Sequence, residues 1–209
     1  MSERCEVTGL SLEDCKSWAD LHSKHTGSYE FSAPSDEVLS SFDKPLDNTV
    51  SNNRVSNIDL KRRESLFGHL EKSIVPKFKN SSLIVFGSSE TGLSLRKGDL
   101  DLCLVLPNGN QKTIVKRISG MMNGQGMEKV KALSRATVPI VKFTDPRSGI
   151  DVDISINNTL ALHNTKLLAQ YSQLDERVKN LAICVKYWAF HRDISDAHTG
   201  TFSSYAWSI

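Results

Sequence analysis

Two pairs of aspartates lie in segments whose spacing suits metal-dependent chemistry. Asp99 and Asp101 belong to the stretch DLDLCLVL, and Asp151 and Asp153 belong to GIDVDISI. In a β-strand, residues i and i+2 face the same side and are roughly 6.5 Å apart along the backbone. Apolar residues alternate with each pair and would face the core. We therefore predict two strands that each present a carboxylate pair on a rigid support.

Converging carboxylates repel each other, and burial raises their pKa values unless a cation compensates. Hard oxygen ligands on a rigid support favour Mg²⁺, with Mn²⁺ as the related alternative. Three carboxylates can hold two such ions about 3.5–4 Å apart, the arrangement used for in-line phosphoryl or nucleotidyl transfer. The cofactor expected from these residues is therefore a pair of divalent ions.

A Gly-Ser step at Gly87 and Ser88 closes an apolar segment shortly before the first aspartate pair. Glycine lets a backbone approach a phosphate and adopt positive φ. If Ser89–Leu95 begins a helix, its free N–H groups would point at the same anion. Alone, the step is typical of an ordinary turn and Asp-Leu-Asp is typical of a solvated strand face. The combination favours a phosphate cradle beside a metal site.

A sheet is needed to position these groups, and apolar periodicity predicts one. The predicted strands are Leu83–Phe86, Leu100–Leu106, Lys129–Arg135, Ile140–Thr144 and Ile150–Ile156. Helical spacing covers 58–76, 113–122, 159–171 and 174–191. This order predicts an α+β fold, a mixed β-sheet with helices on one side.

Both ends of the chain differ from this central region. A short helix over Ser11–Lys24 is expected, and residues 26–57, rich in Ser, Asp and Asn, are interpreted as a linker or loose arm. Near the other end, Ser203 is a candidate N-cap for a new apolar helix. We expect the chain to stop inside a second helical region.

Charge and cysteine content narrow the class of protein. Residues 1–57 carry a net charge of −5 and residues 58–209 a net charge of +7, and a basic body suits a polyanionic partner. The 4 cysteines lack metal-ligand spacing, so buried free thiols in a reducing compartment are expected. We see no signal peptide and no apolar run long enough for a membrane span. We expect a monomer in the cytoplasm, with the nucleus as the alternative.

Taken as a set, these motifs resemble a known superfamily. Apolar-Gly-Ser, a gap of ten residues, Asp-apolar-Asp-apolar and a later strand Asp resemble the DNA polymerase β-type nucleotidyltransferases. The segments RATVPIVKF, DVDISINNTLALHNTKLL, LDERVKNLAICVKYWA and GTFSSYAWSI resemble the terminal uridylyltransferases and noncanonical poly(A) polymerases. The resemblance covers about residues 58–209. It implies a nucleotidyltransferase catalytic domain over 58–165 and the beginning of a helical central domain over 166–209. Residues 1–57 contribute nothing to the resemblance and are interpreted from their composition as a polar N-terminal arm or linker.

The resemblance assigns the catalytic and metal-binding roles. It places the first two metal ligands on Asp99 and Asp101, and the third, which acts on the attacking 3′-hydroxyl, on Asp153. Asp151 lies outside the pattern, so a salt-bridged or solvated residue is favoured there. The phosphate cradle falls on Gly87 and Ser88.

The resemblance also assigns the nucleotide contacts. Sugar and phosphate contacts fall on Asn158, Asn164 and Thr165, with helix capping as the alternative. Lys186 would hold the terminal phosphates, Ser204 would touch phosphate, and Tyr205 would stack on the base, with ordinary helix core as the alternative for Tyr205. Many relatives carry a second lysine one turn after Lys186. Here that position is Phe190, and His191 and Arg192 are the candidates to replace the missing charge.

The implied activity is template-independent transfer of UMP, or less favourably AMP, from an NTP to an RNA 3′-hydroxyl. UTP is favoured over ATP because HNTKLLAQYSQLDERVKNL reads closer to the uridylyltransferases. Two alternatives stay open. One is a nucleotide second-messenger synthase of the same superfamily, and the other is a non-catalytic RNA-binding scaffold.

Overall fold

The computed structural model describes residues 34–208, and the compact unit that begins at Asp43 is built on one mixed β-sheet. Its five strands are Ser82–Phe86 (β1), Leu100–Val105 (β2), Glu128–Leu133 (β3), Ile140–Thr144 (β4) and Asp151–Ile156 (β5). They lie in the spatial order β1-β2-β5-β4-β3. The β2–β5 pair is parallel, and the other neighbours are antiparallel. The predicted α+β class is confirmed.

Six α-helices lie within the described range, and most begin at a polar cap. The α-helices within the described range are Asp36–Asn53 (α1), Asn57–Ile74 (α2), Ser88–Thr91 (α3), Gln111–Gly124 (α4), Thr159–Leu174 (α5) and Glu176–His191 (α6). Ser56 and Asp59 form a reciprocal capping box at the start of α2. Asn110 caps α4, and Asp175 caps α6. None of the helices over 34–208 has the length and hydropathy required to cross a bilayer.

Helices α2 and α4 bury one face of the sheet. The buried core joins alternate residues of β2 and β5 with apolar residues of these two helices: Leu100, Leu102, Leu104, Val152, Ile154, Ile156, Leu66, Leu70, Ile74, Val115, Ile118 and Met122. Successive strand residues point to opposite faces. Burying the leucines and isoleucines therefore turns Asp101 and Asp153 to the other face.

Residues 36–53 of the segment interpreted as a linker or loose arm form α1, a helix that the sequence analysis did not predict. Leu39, Phe42, Leu46 and Val50 recur at helical spacing and were the missed signal. Pro45, which lies inside α1, and the polar composition obscured it. The predicted helix over Ser11–Lys24 lies outside the described residues.

The expected helix after Ser203 is replaced by a short 3₁₀ turn, Ala206–Ser208. The Ser203 hydroxyl nevertheless accepts a hydrogen bond from the Ala206 N–H at 3.2 Å, as a cap does. The predicted domain boundaries at 57 and 165 stay a prediction.

Candidate active site

Three carboxylates converge where β2 and β5 lie side by side. Asp101 and Asp153 are direct partners in the parallel register of these strands, and Asp99 immediately precedes β2. Ligand oxygens of the three residues lie within 4.8 Å of one another. Asp151 is exposed and accepts a hydrogen bond from the Thr144 hydroxyl at 2.5 Å. The structure thus brings together the three predicted acids and gives Asp151 a separate partner.

The acidic cluster is electrostatically unfavourable without a cation. Burial raises the pKa of Asp101 to about 7, and repulsion from Asp99 and Asp153 acts in the same direction. Burial also raises the pKa of Asp153, although the hydrogen bond and charge of Lys142 oppose that change. Three hard oxygen donors on a rigid sheet fit the ligand preference of Mg²⁺ or Mn²⁺. Bound cations would relieve the repulsion among the three carboxylates, which adds to the effect of burial on these pKa values.

Lys142 is a member of the site that the sequence reasoning missed. It lies opposite Asp153 in the antiparallel β4–β5 register, and its Nζ forms an ion pair with Asp153 Oδ2. Burial lowers the pKa of Lys142, but the hydrogen bond and charge of Asp153, together with the charges of Asp99 and Asp101, outweigh burial and raise the pKa. The signal was available in IVKFT, where Lys142 alternates with buried Val141 and Phe143 and must face the acidic side.

The turn after β1 requires glycine at Gly87 for two reasons. Its φ of +67° lies in the left-handed region. A Cβ on Gly87 would also lie 2.6 Å from Asp101 Oδ2. The Gly87 N–H donates a hydrogen bond to Thr165 Oγ1 at 2.9 Å. The turn therefore lies directly against the acidic cluster, as the sequence predicted.

The helix expected over Ser89–Leu95 is wrong, because α3 spans only Ser88–Thr91. Gly92 follows with a φ of +73° and ends the helix. Leu93 and Ser94 are buried after this left-handed residue, so the chain turns inward instead of extending the helix. Ser88 and Ser89 still lie at the start of this single turn.

Asn158 and Thr165, predicted as nucleotide contacts, have structural partners. Asn158 caps α5 by accepting a hydrogen bond from the Ala161 N–H, which is the capping alternative. Thr165 is buried, and its hydroxyl donates to the Ala161 carbonyl at 2.7 Å while accepting from Gly87. Asn164 and Thr165 lie in the second turn of α5. Their backbone N–H groups are therefore beyond the helix start, where such groups are free to bind an anion.

Lys186 places a buried positive charge near the acidic cluster. Its side chain lies on α6, the residue is 8% exposed, and its Nζ donates to the Leu93 carbonyl at 2.9 Å. Burial lowers the pKa of Lys186, and the charges of Asp99 and Asp101 oppose that change. Phe190, one turn later, is 64% exposed. The charge of Lys186 therefore interacts electrostatically with Asp99 and Asp101, and the residue one turn later, Phe190, carries no second charge.

The remaining predicted residues are less closely tied to the acids. Within residues 34–208, no hydrogen bond joins Ser204 or Tyr205 to the acidic cluster, and the two residues lie before the final 3₁₀ turn. His163, which lies in the HNT motif, is exposed. Trp188 is 49% exposed and meets Trp207 edge-to-face.

A mixed sheet that presents three converging carboxylates beside a glycine turn defines a nucleotidyltransferase palm. A profile of the family described as poly(A) RNA polymerase, mitochondrial-like, central palm domain matches residues 42–173. The chain belongs to this family, which confirms the predicted relationship. The match begins at residue 42 and therefore includes part of the segment expected to lie outside the resemblance.

Similar proteins include both uridylyl- and adenylyl-transferring enzymes. Human terminal uridylyltransferase 7 is 39% identical over 160 residues, covering 73% of this chain and 11% of that protein. Xenopus laevis poly(A) RNA polymerase GLD2-B is 39% identical over 154 residues, covering 70% of this chain and 30% of that protein. A crystal structure of the Cid1 poly(U) polymerase matches with a TM-score of 0.72 at 32% identity, covering 81% of this chain and 52% of that one. The chain spans about a third or less of the curated relatives it matches.

Replacing Asp101 by Asn is expected to stabilise the metal-free protein at alkaline pH. Folding raises the pKa of Asp101 from its ordinary value of 3.8 to about 7. Between pH 4 and 7 the folded chain therefore keeps a proton on Asp101 that the unfolded chain has released. The free energy of unfolding of the wild type should therefore fall as pH rises through this window, and that of D101N should lack this pH dependence. At pH 8 without metal, D101N should be more stable than the wild type by at most about 4 kcal/mol.

Urea unfolding in a chelating buffer at pH 4, 6 and 8 measures this difference. Saturating Mg²⁺ supplies the control, because it should stabilise the wild type more than D101N and reduce the gap. A D101N protein that is less stable than wild type at pH 8 without metal would contradict the repulsion described here.

Replacing Gly87 by Ala is expected to destabilise the protein by about 1–2 kcal/mol from the left-handed φ alone, with a further cost from the contact with Asp101. Gly120→Ala is the matched control, because Gly120 lies within α4 and an added Cβ there meets nothing within 4 Å. That control should be neutral or stabilising by up to about 1 kcal/mol. Urea unfolding of both variants gives the comparison, and equal stabilities would argue against a constrained turn.

Proposed function

We propose that this chain supplies the catalytic palm of an RNA 3′-terminal nucleotidyltransferase, which transfers UMP from UTP to the 3′-hydroxyl of RNA. The observation that carries this proposal is the convergence of Asp99, Asp101 and Asp153 within 4.8 Å on and beside adjacent strands. Membership of the palm family supports the reaction class. The net charge of +7 over residues 58–209 suits a polyanionic acceptor such as RNA.

We assign Asp99, Asp101 and Asp153 as ligands of two Mg²⁺ or Mn²⁺ ions. When bound, these ions would neutralise the carboxylates and supply the positive charge that nucleotidyl transfer requires. The Lys142 ammonium now compensates Asp153 through their ion pair. Its side chain is 42% exposed, so it can move toward solvent and free the Asp153 oxygen.

The proposed reaction joins the RNA 3′-oxygen to the α-phosphorus of the nucleotide. The bond from that phosphorus to the β-phosphate breaks, and pyrophosphate leaves. The hydroxyl proton must leave the attacking oxygen, and Asp153 is the proposed acceptor.

Positive charge and polar groups near the acids are proposed to bind the nucleotide. Lys186 has one backbone acceptor, the Leu93 carbonyl, and an ammonium has three N–H donors, so donors remain for the terminal phosphates. Gly87 and Ser88 are proposed to contact phosphate from the turn. Asn164 is proposed as a ribose contact.

Four residues complete the proposed nucleotide site. Ser204 is proposed to contact phosphate, and Tyr205 to stack on the base. Asn158 and Thr165 already have their side-chain oxygens engaged at Ala161 and Gly87. Any contact with the nucleotide would therefore use the Asn158 amide NH₂ group or the remaining lone pair of the Thr165 hydroxyl, whose proton is donated to the Ala161 carbonyl.

The choice of UTP rests on the likeness of residues 163–181 to uridylyltransferases and on solved neighbours described as poly(U) polymerases. The specific observation that favours ATP is the equal identity, 39%, to the GLD2-B poly(A) polymerase. A cytoplasmic location and a monomeric state stay predictions.

Incubation of the chain with a labelled oligoribonucleotide, Mg²⁺ or Mn²⁺ and each NTP separately tests the proposed function. Extension with UTP should exceed extension with ATP, and both should require an RNA acceptor. Preferred extension with ATP would overturn the choice of nucleotide alone. Products formed without RNA would favour a second-messenger synthase. A chain that neither extends RNA nor binds NTP in the presence of Mn²⁺ would contradict the catalytic assignment.

Replacing Asp153 by Asn should lower the extension rate at least about 100-fold, the range found when one group that stabilises the transition state is lost. Asp151→Asn is the matched control on the same strand, because Asp151 is exposed and bonded to Thr144. It should change the rate by no more than a few fold. Initial extension rates under saturating NTP measure this difference. Equal losses of rate in both variants would contradict the separate roles of Asp153 and Asp151.

A further inference from the structure

Arg63 is a charged side chain buried on the core-facing side of α2. It is 6% exposed and shares that side with Leu66 and Leu70. Arginine is almost never this buried unless its donors are satisfied. Arg63 lies three residues before Leu66 in an apolar helical repeat. This spacing indicated that the side chain is buried, and the signal was missed.

The Arg63 guanidinium joins two segments that border the acidic cluster. Nη1 donates to Ser89 Oγ and to the Asp99 carbonyl, each at 2.8 Å. Nη2 donates to the Gly98 carbonyl. Ser89 lies in the turn after β1, and Gly98 and Asp99 lie in the loop before β2. One planar group therefore holds both segments in a fixed relation.

The charge of Arg63 is not neutralised by contact with an acid. Within residues 34–208, no carboxylate forms an ion pair with it, and its three acceptors are a hydroxyl and two carbonyls. Burial lowers the pKa of Arg63, and the charges of Asp99, Asp59 and Asp101 oppose that change. The guanidinium thus also adds positive charge beneath the acids.

We propose that Arg63 is a positioning residue that aligns the Asp99 carboxylate and, through Ser89, the glycine-serine turn, so that metal binding and phosphate binding share one support. It acts through these groups and touches neither metal nor nucleotide. The part that concerns phosphate rests on the proposed function. The part that concerns the acids does not.

Mn²⁺ binding to this chain, measured by electron paramagnetic resonance, tests the alignment of the acids without any need for catalysis. Arg63→Gln should weaken Mn²⁺ binding by about 10–100-fold, the range for groups that orient metal ligands. Arg63→Lys keeps the charge but lacks the planar, multidentate guanidinium group. Its Mn²⁺ affinity should therefore lie between that of the wild type and that of R63Q. Arg62→Gln is the matched control, because Arg62 is the exposed neighbour and its side chain is 60% exposed. It should bind Mn²⁺ as wild type does.

Ser89→Ala separates the two halves of the proposal and covers the case in which R63Q does not fold. It removes one acceptor of Arg63 and a long hydrogen bond of 3.4 Å from the Ser89 hydroxyl to the Asp99 carbonyl, and it leaves both carbonyls bonded to Arg63. It should raise the KM for NTP by about 10-fold, as expected for one hydrogen bond to a charged group, and leave Mn²⁺ affinity unchanged. Unchanged KM in S89A would overturn the link to the turn.

Urea unfolding of each variant distinguishes positioning from stability alone. A role limited to stability would lower the unfolding midpoint of R63Q while its folded fraction bound Mn²⁺ with wild-type affinity, and that result would overturn the proposal. If wild type transfers no nucleotide but R63Q loses Mn²⁺ affinity, the proposed function fails and the alignment of the acids stands. If wild type extends RNA and R63Q binds Mn²⁺ equally well, the inference about Arg63 fails alone.

Discussion

Repulsion among three carboxylates held within 4.8 Å is the constraint on which the rest of the site depends. The acids cannot relax by turning away, because Leu102 and Ile154 are fully buried on the opposite face of the same strands. The parallel register then places Asp101 beside Asp153. Core burial, which is favourable by about 25 cal/mol per Å² of apolar surface, thus holds an unfavourable charge arrangement in place. The cluster is stable only as part of the sheet.

Cations from three separate elements reduce this repulsion without removing it. Lys142 on β4 pairs with Asp153, while Lys186 on α6 and Arg63 on α2 bond to backbone carbonyls near the acids. Because two of the three cations are held by carbonyls, their charges stay close to the cluster but leave carboxylate oxygens free for other ligands. The pKa of Asp101 still lies at about 7. Burial of Asp101, with repulsion from Asp99 and Asp153, therefore still disfavours its charged form despite these cations.

Local periodicity was enough to predict the acids of the sheet, although some local signals were overlooked, whereas contacts between residues distant in sequence could not be predicted. Alternation in DLDLCLVL and DVDISI was enough to place Asp101 and Asp153 on one face, since that face is set by the leucines and isoleucines. The same rule applied to IVKFT would have found Lys142. The bond between Gly87 and Thr165 joins residues 78 apart in the chain, and no local pattern could have indicated it. The length of α3 was also hidden, because Gly92 ends the helix only by adopting a left-handed conformation.

The turn after β1 is held against the acidic cluster by contacts with α2, α5 and β2. Gly87 lies against Asp101, its N–H is held by Thr165 of α5, and the neighbouring Ser89 is held by Arg63 of α2. Helix α5 is in turn fixed at its start by Asn158, whose N–H contacts Cys103 Sγ on β2 at 3.3 Å. A displacement of any one of these elements would move the turn relative to the acids. The distance between the glycine-serine turn and the three carboxylates is therefore set by the packing of α2, α5 and β2, and not by the short loop that connects them in sequence.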